Sequence, residues 1–282
     1  MTDPTLKPPH PTRTPVARVA LVTGAARRIG RVIAEELASK GWAVALHHRQ
    51  SSDECEELAR HLRKGGAGAI TVQADLESQE QAEGLIDRVV AELGQCDSVV
   101  NNASRFDYDS MADFSYAAME RHWRANTGAP IVLARALHRH VLQRPGARGC
   151  VVNLLDQKLW NPNPDYLSYT LSKAALEAAN TLLAQALAPQ VRVCGVAPGV
   201  TLISGPQMTE QGFSQAHAMT PLGRSSTPQD IAQAVAFLLE APAVTGTTLL
   251  VDGGQHLAAQ SRDVLFLTPQ STAAATPGAP QP

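Results

Sequence analysis

Apolar residues along this chain fall into two alternating rhythms. One is the short, nearly unbroken apolar run of a strand buried on both faces: Val16–Val22, Trp42–His47, Ala69–Gln73, Ser98–Val100 leading into Asn101-Asn102-Ala103, Cys150–Leu155, Val191–Ala197 and Thr248–Val251. The other is the helical rhythm, with apolar positions three and four apart, over Arg31–Lys40, Asp53–Lys64, Ser78–Leu93, Phe114–Gln143, Leu167–Ala188 and a segment from Thr227-Pro228 to Glu240. Punctuation agrees with the rhythm. Gly41 ends the first helix, the Ser51-Ser52-Asp53 cluster opens the second, Gly65, Gly66 and Gly68 break it, and Pro189 stops the helix before the sixth strand. A kink is expected at Gly128-Ala129-Pro130 inside the long fourth helical region. Pro228 suits the first position of a helix capped by Thr227. Residues 200–226 read as a long polar loop with room for one short helix.

Strands and helices alternate from Val16 to Val251, which predicts an α/β fold: one parallel seven-stranded sheet with helices on both faces. No repeat or composition shift marks a second domain. The expected division is a disordered N-terminal segment 1–14, one domain over 15–257 with a substrate loop near 199–226, and a largely disordered tail 258–282. Both tails are rich in Pro and small polar residues.

Composition narrows the function classes. Hydrophobic residues make up 44% of 282, enough for a sizeable core, and the formal net charge of -2 points to neither nucleic acid nor an anionic membrane. No apolar run reaches the roughly 18 residues of a membrane span, and the N-terminus lacks the apolar core of a signal peptide. The 4 cysteines lie far apart without CxxC, as expected of isolated thiols in the cytoplasm. The His pairs His47-His48 and His138/His140 lack partners of a metal site, so no metal is expected.

The first strand–helix junction is TGAARRIG, Thr23–Gly30. Gly24 would allow a tight turn, and Gly30 would let the helix start close to the sheet with its N-terminus facing a pyrophosphate. An ordinary strand–helix turn explains these glycines equally well, because the middle glycine of a dinucleotide fingerprint is replaced by Arg28. The second strand ends in HHRQSS, with no acidic residue to take a ribose 2′-hydroxyl. Arg49, with His48 and the hydroxyl of Ser51 or Ser52, suits a 2′-phosphate and argues for NADP; a solvated basic loop is the bland alternative. Asp75, at the tip of the third strand, either accepts from an adenine amino group or caps the next helix.

Tyr169 and Lys173 lie one helical turn apart and share a face. Asp156 closes the fifth strand at the carboxyl edge, where open α/β sheets place their chemistry. Alone, Tyr-x-x-x-Lys is a weak signal that chance often produces; beside the upstream turn it gains weight.

Taken together, these motifs resemble the short-chain dehydrogenase/reductase family over Val16–Gly254. TGAARRIG is similar to its TGxxxGxG turn, Asp75-Leu76 to its adenine-contacting Asp, and Asn101-Asn102-Ala103 to its NNAG, with Ser104 for Gly. Asn126, the Tyr169/Lys173 pair and Pro198-Gly199 match further family positions. Two departures stand out: Arg28 replaces the middle glycine, and Asp156 stands thirteen residues before Tyr169, where the family has its catalytic Ser. With Phe106 following NNAS, these features resemble the pteridine reductase and dihydromonapterin reductase branch.

The resemblance implies a Rossmann-type doubly wound domain, hydride transfer from NADPH to a C=N or C=O carbon, and a homotetramer. It implies Tyr169 as proton donor, Lys173 as the cation that favours its ionised form and binds the nicotinamide ribose, and Asn126 as holder of a water linking Lys173 to solvent. Gly24, Arg28, Ile29, Gly30, Asp75, Leu76, Asn102, Ala103, Ser104, Pro198 and Gly199 would contact the cofactor beside His48, Arg49 and Ser51. Asp156 would support protonation of a basic ring nitrogen, Phe106 would stack on a flat substrate ring, and Arg28 would reach both pyrophosphate and substrate. Trp160 either lines the substrate pocket or anchors its loop. The expected activity is reduction of a dihydropterin or dihydrofolate-like substrate. The alternatives are a carbonyl reductase of 3-oxoacyl, sugar or quinone substrates, and an NADPH-binding sensor without turnover.

Overall fold

The computed structural model describes residues 17–203 and 208–269; the expected N-terminal segment 1–14, Val16, loop residues 204–207 and tail residues 270–282 lie outside the described residues. Seven strands form one sheet: β1 Val19–Val22, β2 Ala43–His48, β3 Ala69–Gln73, β4 Ser98–Asn101, β5 Gly149–Leu154, β6 Val191–Pro198 and β7 Thr248–Val251. Their order is β3-β2-β1-β4-β5-β6-β7, with every pairing parallel. The chain reverses its direction of winding between β1 and β4, which opens a crevice at the carboxyl ends of those two strands.

Helices cover both faces because the strands are apolar on both. Ala20 and Val22 of β1 pack toward α1 (Arg28–Ser39), α2 (Ser52–Lys64) and α9 (Pro228–Glu240), through Ile33, Leu58 and Leu238. Val19 and Leu21 point the other way, toward α4 (Leu85–Leu93), α6 (Ala129–Leu142) and α7 (Leu167–Ala186), through Ile86, Leu137 and Leu183. The period of 2 along one four-residue strand thus feeds two cores. The four cysteines are free and buried. No helix among the described residues is long and apolar enough to cross a membrane.

Three local expectations change. The helix anticipated over Ser78–Leu93 is split at Gly84 into α3 (Gln79–Glu83) and α4, since glycine is a poor helix interior residue. The irregularity in the fourth helical region precedes Pro130: α5 (Tyr116–Trp123) runs into a π-helical turn over Arg124–Gly128, which passes directly into α6 with Pro130 in its first turn. Part of the expected tail is folded. Beyond the short helix α8 (Glu210–Ala218), residues 262–268 return to the body and form α10 (Val264–Leu267). The expected Thr227 cap on α9 is a full capping box with Asp230.

A chain of buried amides crosses the sheet beneath the site. Asn101 Nδ2 donates to Asn153 Oδ1 at 2.7 Å, Asn153 Nδ2 donates to Asn180 Oδ1 at 2.7 Å, and Asn180 Nδ2 reaches Thr248 Oγ1 at 3.5 Å. Buried polar groups cost most when one partner is removed. Asn153→Ala should therefore lower stability by about 3 kcal/mol, because it strands two neighbouring groups. Guanidinium unfolding monitored by circular dichroism checks this, and a loss within experimental error would show that the amide chain is not structural.

Candidate functional site

The turn after β1 is held shut from across the sheet. Thr23 Oγ1 accepts from the backbone N–H of Asn102 (2.9 Å) and of Ala103 (3.0 Å), and the Asn102 amide donates to the carbonyls of Thr23 (2.9 Å) and Gly24 (3.1 Å). Gly24 adopts φ +62°, and its N–H donates to His47 Nδ1 at 3.1 Å. His47 can accept because burial pushes its imidazole down to about 4, which keeps it neutral. Gly30 has no space for a side chain: a Cβ there would lie 2.2 Å from the Gly24 carbonyl oxygen. Arg28 occupies the position of the missing glycine with φ 55°, a left-handed conformation that glycine adopts without cost.

This turn forms one wall of a cavity of about 530 Å³. Gly24, Arg28, Ile29 and Gly30 line it from the turn, Arg49, Asp75 and Leu76 from the tips of β2 and β3, and Asn102, Ala103 and Ser104 from beyond β4. His48 and Ser51 do not line it. Alternation along β2 brings His47 to the cavity instead, while Ser51 precedes α2. Asp75 Oδ1 accepts from the Glu77 N–H at 3.0 Å, and the side-chain cap of α3 is Ser78, so Asp75 shapes the loop without capping the helix.

A second cavity of about 400 Å³ adjoins the first and shares Arg28, Ile29, Asn102, Ser104 and Phe106 with it. Asp156, Tyr169, Lys173, Pro198 and Gly199 all line this one. The Tyr169 hydroxyl donates to Asp156 Oδ2 at 2.8 Å, and Asp156 Oδ1 accepts from the Lys158 N–H at 2.9 Å. Lys173 Nζ donates to the Leu154 carbonyl at 2.7 Å and lies 5.8 Å from the centre of the Tyr169 ring.

Burial governs the electrostatics of these three groups. Burial, then the neighbouring Asp156 carboxylate, pushes the Tyr169 phenol well above its ordinary value. Burial also raises Asp156, against the hydrogen bonds from Lys158 and Tyr169 that hold it down. Lys173 is lowered to about 8 by burial and raised only in part by Asp156. The phenol and the carboxyl form a hydrogen-bonded pair, with the Lys173 amine on the face of the Tyr169 ring.

The Asn126 side chain is bonded to protein on both its polar atoms. Its Oδ1 accepts from Arg105 N (2.8 Å) and Ser104 Oγ (3.1 Å), and its Nδ2 donates to Arg105 O and Ser172 Oγ, each at 3.0 Å. It therefore fixes the segment carrying Ser104 and Phe106. Phe106 is 43% exposed, stacks on Tyr166 with centroids 4.3 Å apart, and meets the Tyr169 ring edge-on at 4.6 Å. It is a wall of the cavity and not a core residue. Trp160 lines a separate groove.

Several site residues carried no signal in the sequence. Tyr166 opens α7 with φ 55° and backs Phe106. Lys158 is buried and donates to the Asp165 carbonyl (2.6 Å) and to Asp263 Oδ2 (3.2 Å). Arg262 grips the buried Asp165 with two nitrogens, at 2.9 Å each, and so fastens the C-terminal segment over the cavity. Val264 and Leu265 then become part of its lining. The short apolar run VLFL was the one available hint.

A family model described as Enoyl-(Acyl carrier protein) reductase matches residues 24–256. A protein named Granaticin polyketide synthase putative ketoacyl reductase 2, from Streptomyces violaceoruber, is 35% identical over 87% of this chain and 99% of its own length. Pteridine reductase 1 of Leishmania tarentolae is 32% identical over 87% of this chain and 99% of its own. The crystal structure of FolM Alternative dihydrofolate reductase 1 from Brucella suis, in complex with NADP, superposes with a TM-score of 0.82 at 39% identity, covering 87% of this chain and 98% of that one.

The buried lysine makes a pH prediction. Between about 8 and the ordinary 10.5, the unfolded chain binds the Lys173 proton and the folded chain does not, so stability should rise with pH across that window. Lys173→Met lacks this proton. The stability of the wild type minus that of the variant should grow from pH 8 to pH 10.5, measured by guanidinium unfolding at fixed ionic strength. A difference that stays flat would mean that Lys173 titrates like a solvated lysine.

Proposed function

The chain belongs to the short-chain dehydrogenase/reductase family, and we propose that it is an NADPH-dependent reductase of a pteridine-like substrate, of the dihydropterin or dihydrofolate type. The observation that carries this reading is Asp156 standing where the family has a hydroxyl, with the Tyr169 hydroxyl bonded to its carboxylate at 2.8 Å. An ionised carboxylate cannot donate to a substrate carbonyl, but it can support protonation of a basic ring nitrogen. Phe106 and Tyr166 supply flat aromatic surface beside it, suited to a planar heterocycle.

The first cavity fits a dinucleotide. Gly24 is in the left-handed conformation and a Cβ at Gly30 would strike backbone, so the turn brings its N–H groups close to whatever lies above it. When bound, the cofactor supplies a hydride to the electrophilic carbon. Arg28, lining both cavities, would meet anionic cofactor and substrate alike. Tyr169 would deliver the proton, and Asp156, its hydrogen-bond partner, would relay one from solvent. Lys173 would keep positive charge beneath this pair. The NADP complexes of the Brucella proteins, 39% identical in sequence, support the cofactor assignment.

The second reading, reduction of a ketone, draws on the 35% identical ketoacyl reductase. One variant separates the two. Asp156→Ser restores the family's hydroxyl donor, so it should raise ketone reduction if the chain is a carbonyl reductase. On a dihydropterin it should lower kcat by roughly 10²–10⁴, the range for losing general acid–base help, with NADPH affinity nearly unchanged in a fluorescence titration. Undiminished pterin turnover in the Ser variant would reduce Asp156 to a structural residue.

We further read the enzyme as a cytoplasmic homotetramer. Trp123 on α5, and Leu171 and Leu182 on α7, are 44%, 46% and 64% exposed, an apolar set suited to pairing with a second copy across a two-fold axis. Light scattering at micromolar concentration should give four chains per particle; a monomer would rule this out.

A further inference from the structure

The 2′ end of the nucleotide cavity contains an acid that the family resemblance does not anticipate. Glu77, in the loop between β3 and α3, lines the cavity beside Arg49 and Arg105. A single oxygen of its carboxylate serves both arginines: Arg49 Nη1 lies 3.5 Å from Oε1, and Arg105 Nε donates to the same oxygen at 3.1 Å. Arg105 also donates to Asp107 Oδ2 at 2.6 Å. The main chain of Glu77 is held by the Asp75 side chain, whose Oδ1 accepts from its N–H. That of Arg105 is set by the Asn126 amide, which bonds its N–H and its carbonyl.

The charges in this cluster cancel. Two guanidinium groups face two carboxylates, so an arriving phosphate dianion meets a locally neutral surface and not two free cations. Glu77 and Arg105 are only 22% exposed, so screening by water is weaker there than for an outlying surface pair. A ribose 2′-hydroxyl, by contrast, can donate to the Glu77 carboxylate without any charge being displaced.

We propose that Glu77 is a specificity-determining residue: its carboxylate is the internal counter-ion of Arg49 and Arg105, and a 2′-phosphate must displace it to bind. The consequence is a cofactor preference narrower than Arg49 alone would set, with the Glu77 carboxylate moderating NADPH and accommodating NADH. This rests on the reading of the cavity as an NADP site.

Adenosine fragments isolate the effect from chemistry at the nicotinamide. Calorimetric titration of 2′,5′-ADP and 5′-AMP into the wild type, Glu77→Gln, Glu77→Ser and Arg49→Ala uses the 2′-phosphate as the sole difference between ligands. Both Glu77 variants should bind 2′,5′-ADP about five-fold more tightly than the wild type does, while 5′-AMP changes by less than about two-fold. Thermal unfolding of each variant establishes that it is folded, and Arg105 keeps Asp107 as a partner in both. If 2′,5′-ADP binds no better, or both ligands tighten equally, Glu77 is not a counter-ion for the phosphate site and the proposal falls. A wild type that prefers 2′,5′-ADP and loses that preference in Arg49→Ala keeps the NADP reading intact even then. A wild type that binds the two fragments equally, with Arg49→Ala indifferent, overturns the NADP reading and this inference with it.

Discussion

The whole site hangs on a close approach of backbone between β1 and the end of β4. Four hydrogen bonds meet at this point: Asn102 donates two to Thr23 and one to Gly24, and the Ala103 N–H donates one to Thr23. That seam pulls the turn against the neighbouring strand so tightly that position 30 has no space for a methyl group. The parallel sheet makes this possible, since its strands all end at the same edge and the winding direction switches there. Both cavities open along that edge and share Arg28, whose left-handed backbone turns its side chain to stand between them.

Catalytic potential in the second cavity comes from burial acting against polar partners. Removing Asp156, Tyr169 and Lys173 from water disfavours the charged form of each. Desolvation alone would make the group inert. The Tyr169–Asp156 hydrogen bond and the Lys158 N–H on the other carboxylate oxygen restore part of the preference for a carboxylate. The result is a phenol that retains its proton next to a carboxyl that can carry one. A serine at position 156 would leave the phenol without an acidic neighbour, so the substitution of one residue changes what the fold can protonate.

Ionic contacts close the site at both ends. At the first cavity, Glu77 gathers Arg49 and Arg105. At the second, Asp165 is gripped by Arg262 and Lys158 is paired with Asp263, which lays α10 across the cavity. Asp165 and Lys158 are buried, and a buried charge is costly once its partner leaves. These pairs therefore fasten segments from distant parts of the sequence: residue 158 to residue 263, and residue 77 to residue 105.

Much of this molecule was legible in the sequence because its signals are local. Apolar runs bounded by Gly and Pro gave away all seven strands, and β3 and β7 match residue for residue. The turn Thr23–Gly30, the Tyr169/Lys173 spacing and Asp156 at a strand end are each set within a few residues of chain. What tertiary structure alone decided involves partners far apart. His47 and not His48 faces the cavity, because strand alternation has no sign until β2 is packed. Asn126 braces Arg105 and Ser104, because a π-helical turn carries it to that backbone. Tyr169 is pushed up, because the closed fold buries its phenol beside the Asp156 carboxylate. The C-terminal segment joins the site through a buried Asp165, whose need for a counter-charge appears only when the chain has closed around it. Periodicity and spacing report what a residue's neighbours in sequence require; burial and pairing across the fold determine its charge and its contacts.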